Sequence, residues 1–246
     1  MSVEMTPRFE RLLDAATRGY RQSGRFAWHF ARGKLRHDPL FLSVMRRGLF
    51  PDNGRLLDIG CGQGLLLALL SAARREYASG QWPEDWPAPP RHLEMRGIEM
   101  NRRRVEIAHR ALDALDMPAQ IECGDARAAV FPESSVIALV DVLLYLEPEA
   151  QNRVLKRAVD ALLPKGLLML READRQSGMR FHLTHLTERL LETARGHFGQ
   201  QLHYRTADEW RSTLEGLGLE VEMQPMSAGT LFCNMLLLGR MPCSAQ

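Results

Sequence analysis

Three observations predict an α/β fold built on a doubly wound, mostly parallel sheet. Short apolar runs of strand length alternate with helical stretches between Arg55 and Glu172. The runs are apolar almost throughout, as strands covered on both faces must be. The first run ends in an acid and a set of glycines that opens a leucine-rich helix. The 246 residues, 45% hydrophobic and 25% charged, suit one such domain with a modest addition and exclude a disordered or fibrous chain.

Before the alternation begins, residues 8–22 and 26–49 show helical periodicity, with Phe26, Phe30, Leu35, Leu40, Phe41, Val44, Met45 and Leu49 forming apolar stripes among arginines. His37-Asp38-Pro39 divides the second stretch, because Asp caps a helix and Pro fits its first turn. Residues 1–50 are therefore expected to form a helical appendage or lid ahead of a domain over 51–240. The strand RLLDIG follows, then a helix from about Gly64. Residues 74–94, with four prolines, Trp82 and Trp86, exceed what a helix-to-strand connection needs and read as an insertion. Such a connection lies at the amino edge of the sheet, opposite any crevice at the strands' carboxyl ends.

Next come the strand MRGIEM, a helix from Val105 to Leu115, the strands QIECGD and VIALVD, a helix from Pro148 to Leu163, and LLMLRE after Pro164-Lys165-Gly166. Residues 173–213 carry another helical stretch rich in His and Arg, and a last helix, TADEWRSTLEGLG, follows, which Thr206 caps and Gly216 or Gly218 stops. The last two runs, LEVEMQPM and TLFCNMLLLGR, read as an antiparallel pair.

Lys plus Arg is 32 and Asp plus Glu is 30, so the net charge of +2 disfavours a chain made to coat nucleic acid. The charge is uneven, however: residues 1–50 carry +6 and the remainder −4. Three uses suit the basic helices: a solvated face, a lid in which Phe26, Phe30, Arg32 or Lys34 closes the crevice, or a docking surface for an acidic carrier protein or membrane headgroups. Cys61, Cys123, Cys233 and Cys243 are too scattered for a disulfide framework or a zinc site, so no metal is expected and a reducing, cytoplasmic setting fits. No apolar run approaches a membrane span.

Chemistry concentrates at RLLDIGCGQG. Asp58 ends the strand, and Gly60, Gly62 and Gly64 let the backbone turn tightly and approach a ligand. A dinucleotide site would read GxGxxG and place pyrophosphate on the helix; here the spacing is GxGxG with Leu65 next, and Asp58 would repel a pyrophosphate but suit an ammonium group. Glu99, ending the second strand, can accept both hydroxyls of a ribose. It lies beyond the spacing of about 20 residues usual after the glycines, and the inserted segment accounts for the excess.

The DIGCGQG run resembles motif I of the class I, Rossmann-like methyltransferases that use S-adenosyl-L-methionine. The resemblance spans about Leu49 to Arg240 and implies a seven-stranded sheet whose reversed last strand inserts beside the fifth. It also implies a cofactor site. Asp58 and the loop Gly60, Cys61, Gly62 and Gly64 would hold the amino-acid end, Glu99 the ribose, Asp125 the adenine and Asp141 would lie by the methyl-bearing arm, with Met100 and Ala126 completing the cofactor-binding set.

Methyl transfer chiefly requires that acceptor, methyl and sulfur be aligned and water excluded, and a base matters only for a protonated acceptor. Tyr145, Glu172 and His182 are the catalytic candidates, with Asp174 and His185 nearby in sequence; His182 has the most suitable intrinsic pKa. FARGKLRHDPLF, READ and HYRTADEW faintly resemble small methyltransferases of aryl-polyene or fatty-acid-like pathways, implying O- or C-methylation of a small or carrier-bound acceptor. No signature of the NPPY type, which would indicate a nitrogen acceptor, is present. Two other classes fit less well: a binding protein that keeps the cofactor site as regulator or scaffold, and a nicotinamide-dependent enzyme.

Overall fold

The structure, a computed structural model, describes residues 7–115, 119–177, 201–227, 229–230 and 232–242. Its sheet has seven strands: β1 (Asn53–Ile59), β2 (His92–Glu99), β3 (Ala119–Cys123), β4 (Ser134–Val140), β5 (Leu162–Ala173), β6 (Glu220–Pro225) and β7 (Asn234–Arg240). They lie in the order β3-β2-β1-β4-β5-β7-β6. The first five are parallel, and β7 runs antiparallel to both β5 and β6. The reversed strand beside the fifth is thus present. Strand order steps outward from β1 to β3 and then restarts on the other side of β1 with β4, which opens a crevice at the carboxyl ends of β1 and β4.

Seven helices are described: α1 (Pro7–Thr17), α2 (Arg25–His37), α3 (Pro39–Arg47), α4 (Leu65–Ala78), α5 (Arg102–Asp113), α6 (Pro148–Asp160) and α7 (Ala207–Gly216), with 3-10 turns at Arg18–Ser23 and Leu143–Tyr145. Their ends follow local chemistry. Asp38 caps α3 by accepting from the Leu40 amide at 3.0 Å, Pro39 opens it, and Gly48 closes it at φ 57°. Thr206 and Glu209 form a reciprocal capping box on α7. Every residue of α4 from Leu65 to Ala73 is buried, because the helix is enclosed between the sheet and α1.

Alternate residues of each central strand enter different cores. Leu56, Val136, Ala138, Leu167 and Met169 meet α1 to α5 on one face. Leu57, Ile137, Leu139, Leu168 and Leu170 meet α6 and α7 on the other. Double coverage is the reason the strands read as unbroken apolar runs. Phe9, Leu13, Tyr20, Leu35, Leu40 and Val44 of the first fifty residues belong to the first of these cores. The charge boundary near residue 50 is therefore not a gap in packing. The first 3-10 turn rests on α5 so closely that a Cβ on Gly19 would stand 2.3 Å from the Ala111 carbonyl oxygen.

Several expected boundaries shift. Helix α4 runs to Ala78, so the connection to β2 is residues 79–91 rather than 74–94. Trp86 is buried, edge-on to Trp82 at 5.5 Å and 6.1 Å from Phe9, while Pro87 presses on Gly48. The segment seals the amino edge beneath α1 and α3. Strand β5 begins at Leu162, before Pro164-Lys165-Gly166, and Lys165 takes φ 63° where the pairing register with β4 shifts. Residues 178–200 of the predicted His-rich stretch, with His182 and His185, lie outside the described residues. No described helix is long and apolar enough to cross a membrane, and the described residues hold no cluster suited to a metal ion.

Candidate functional site

A cavity of about 290 Å³ opens at the carboxyl ends of β1, β2 and β4, lined among others by Gly60, Glu99, Met100, Asp125, Asp141 and Tyr145. Of the glycine loop Gly60 lines it, while Asp58, Cys61, Gly62 and Gly64 lie outside its lining. Gly60 takes φ 73° and lies against Val142, where a Cβ would come within 2.4 Å of Cγ2. Gly62, at φ 58°, has nothing within 4 Å of the Cβ position. Gly60 is thus demanded by the fold, whereas the bare Cα of Gly62 leaves space for something outside the chain. The Cys61 thiol turns away into the core beneath Gly97, so Cys61 contributes loop backbone to this region. Gly64 turns the chain into α4 and faces Ala108 and Ile121.

Two buried acids flank the loop, and they differ. The Glu99 carboxylate is already engaged: its oxygens accept from the Gly62 amide at 3.0 Å and the Asn101 amide at 2.7 Å. Its main-chain carbonyl accepts from Gly124 at 3.1 Å, so one residue ties together the glycine loop, the start of α5 and the end of β3. A carboxylate has about four acceptor positions, which leaves Glu99 capacity for a ligand's hydroxyls. Asp58 is 4% exposed, and burial, with the nearby Glu99 charge, pushes its carboxyl up to about 7. A buried acid so placed is stabilised as an anion by an incoming cation. Open space above Gly62, a buried acid awaiting a cation and hydroxyl acceptors on Glu99 fit a nucleoside carrying an amino acid.

The remaining predicted residues divide. Met100, 66% exposed, lines the cavity, as does Ala126. Asp125 lines it too, but Arg127 grips its carboxylate through the amide at 2.8 Å and Nε at 2.9 Å, which holds the acid below its usual range. Tyr145 lines the cavity from the second 3-10 turn. Glu172 does not line it. It is buried on the other face of β5, where Oε1 accepts from the amides of Val142 at 3.2 Å and Leu143 at 2.7 Å and so holds the segment that carries Tyr145.

Burial and the Asp141 charge push the Glu172 carboxyl up to about 8. Its folded-state pKa therefore lies above the unfolded value, and its contribution is fully present below about pH 4 and declines as pH rises toward 8. Glu172→Gln preserves the acceptor oxygen and removes the titration. The variant is expected to lose less stability than the parent between pH 5 and 8, a difference of roughly 1–3 kcal/mol at pH 8 in urea melts. Identical pH dependence in the two proteins would refute the assignment.

Asn101 and Arg104 line the cavity and were not anticipated. Asn101 caps α5, accepting from Arg104 N at 3.2 Å, a role legible in an Asn placed just before a helical period. Also unanticipated is a set of ion pairs behind Asp141. Arg171, fully buried on β5, bonds Asp141 Oδ1 from Nε at 2.9 Å and Asp38 from Nη1 at 2.6 and 2.5 Å. Lys34 Nζ lies 2.9 Å from Asp38 and 3.4 Å from Asp141. An arginine directly after the apolar LLML was the signal, since a buried guanidinium requires acids around it. On the other side of the crevice, Tyr20 Oη donates to the Gln63 carbonyl at 2.8 Å, bracing the glycine loop from the N-terminal turn.

A family model for a methyltransferase domain matches residues 27–224. The chain belongs to that family. Its cofactor is accordingly S-adenosylmethionine, and the classification as a class I methyltransferase agrees with the strand order and with the glycine loop after β1. The carboxy-S-adenosyl-L-methionine synthase of Shewanella piezotolerans is 28% identical over 122 residues, 49% of this chain and 44% of that protein. The chain thus matches under half the length of that relative. Among solved structures, an O-methyltransferase family protein from Burkholderia thailandensis superimposes with a TM-score of 0.61 at 17% identity, over 97% of this chain and 68% of that one. Magnesium protoporphyrin IX methyltransferase from Synechocystis, solved with S-adenosylhomocysteine bound, gives 0.55 at 15% identity over 95% and 92% of the two methyltransferase chains. Both show the same fold.

Proposed function

We propose that this methyltransferase transfers the methyl group of S-adenosylmethionine to oxygen or carbon of a small or carrier-bound organic acceptor, with residues 1–50 forming the wall or lid on the acceptor side. The observation that carries the cofactor half of this reading is the pairing of buried Asp58 with the open space over Gly62. S-adenosylmethionine supplies an electrophilic methyl on a sulfonium, so the chain's work is binding, alignment and exclusion of water. Asp58 takes the ligand's ammonium group, Glu99 its ribose hydroxyls, and Asp125 with Ala126 the base, while Met100 contributes to the cavity wall. Asp141 is held by Arg171 and Lys34, which withdraws it from the role of free base. Tyr145, on the cavity wall, is the described side chain best placed to meet an acceptor's proton. Glu172 acts by fixing the amides of Val142 and Leu143. Low net charge supports a small acceptor over a nucleic acid.

Calorimetry tests the reading. The ligand's ammonium drives the proton off Asp58, so binding releases a proton, and affinity climbs about fivefold from pH 6 to pH 7, where the α-amino group remains charged. Asp58→Asn should bind more weakly and lose that slope. Tight binding of NAD with no response to S-adenosylmethionine would overturn the assignment. Mass spectrometry of the nucleoside products after incubation with candidate acceptors then separates the chemistries. S-adenosylhomocysteine signifies methyl transfer, whereas a carboxylated sulfonium would signify the reaction for which the Shewanella relative is named.

A further inference from the structure

The wall of the cavity at Asp141 is set by residues far from it in sequence. Asp141 follows β4 with a left-handed backbone, φ 55°, which a non-glycine residue keeps only when its surroundings hold it there. Its carboxylate meets Nε and Nη2 of Arg171, and Lys34 Nζ approaches Oδ2 at 3.4 Å. Asp38, at the junction of α2 and α3, takes the other edge of the Arg171 guanidinium and also the Lys34 ammonium at 2.9 Å. Two cations and two anions close into a quartet without net charge. Arg171 and Asp38 are buried, whereas the Lys34 side chain remains 36% exposed and is the member closest to solvent.

A neutral wall has a consequence for ligands that differ in charge. S-adenosylmethionine carries a sulfonium cation; S-adenosylhomocysteine, the product, has a neutral thioether at the same atom. Without Lys34, Asp38 and Asp141 would share the single Arg171 cation, and a wall left with net negative charge would favour the cation over the thioether. We propose that Lys34, delivered by the N-terminal helix α2, is a specificity-determining residue that screens Asp141 and so sets the ratio of affinities for the cationic cofactor and its neutral product. This rests on the assignment of the crevice to S-adenosylmethionine. Lys34 is a positioning and screening residue and touches no reacting atom.

The test uses the full chain and needs no acceptor. Dissociation constants for S-adenosylmethionine and S-adenosylhomocysteine are measured by calorimetry for the parent, Lys34→Met, Lys34→Gln and Lys34→Arg. Both neutral variants are expected to raise the ratio Kd(S-adenosylhomocysteine)/Kd(S-adenosylmethionine) about fivefold, chiefly by tightening the cofactor, and Lys34→Arg is expected to restore the parent ratio. A purely structural role would weaken both ligands in parallel and leave the ratio unmoved. A ratio within twofold of the parent in both neutral variants, or a fall in it, overturns the proposal. If the parent binds neither ligand, the assignment of the crevice fails instead.

Discussion

Gly62→Val is expected to abolish S-adenosylmethionine binding, raising Kd at least about 100-fold, while the protein stays folded. The two consequences separate because of what surrounds the missing side chain. Apart from its chain neighbours, nothing in the chain lies within 4 Å of the Cβ position, so the added side chain starts in open space. Its cost to the fold is confined to placing a β-branched residue at φ 58°, about 1–2 kcal/mol. The same atoms occupy the space left for the ligand beside the Gly62 amide, which Glu99 holds at 3.0 Å. Calorimetry with the cofactor and a thermal melt check the two halves of the claim. Gly60→Ala supplies the contrast, since its Cβ would come within 2.4 Å of Val142 and the damage should be to stability. Normal binding by Gly62→Val would mean that the ligand lies elsewhere.

Asp38→Ala should be the most damaging single change to stability outside the hydrophobic core, at about 3–5 kcal/mol. Arg171 is fully buried, and its guanidinium is held by Asp38 and Asp141 together. Removing one acid leaves a buried positive charge half compensated. The substitution also deletes the cap of α3, a contact worth about 1 kcal/mol. Asp38→Asn keeps Oδ1 as acceptor for both the Leu40 amide and Arg171 and removes the charge, so it should lose less than Asp38→Ala. Denaturant melts at pH 7 measure both. Arg171 and Lys34 hold the Asp38 carboxyl far below its usual range despite its burial. Its stabilising contribution is therefore present above about pH 4 and is lost only as pH falls well below that. A loss under about 1 kcal/mol for Asp38→Ala would contradict the ion-pair account.

Much of the architecture was legible because local and global signals agree. Asp38-Pro39 announced the break between α2 and α3, Thr206 the start of α7, and the apolar runs of β1, β4 and β5 their burial on both faces. The glycines after β1 were legible because their backbone takes positive φ, and the ends of β1 and β2 because Asp58 and Glu99 each close an apolar run. Side-chain direction was not. Cys61 sits inside the motif yet points into the core, and Glu172 belongs to the face of β5 opposite Arg171, because one step along a strand reverses the side. The quartet around Asp141 was beyond the reach of a linear reading, since Lys34, Asp38, Asp141 and Arg171 meet only after the sheet has assembled.

The burial of the first helices in the main core also has a consequence for synthesis. Tyr20 finds its acceptor 43 positions later at Gln63, and Asp38 meets Arg171 only after another 133. At about 5–20 residues per second, a ribosome takes on the order of ten seconds to supply that second partner. For the first part of that interval, until β1, α4 and β2 have been made, Phe9, Leu13, Leu35 and Val44 have no sheet to lie against. The helices ahead of β1 thus precede the sheet that covers them and, until it forms, present apolar faces open to chaperone capture or self-association.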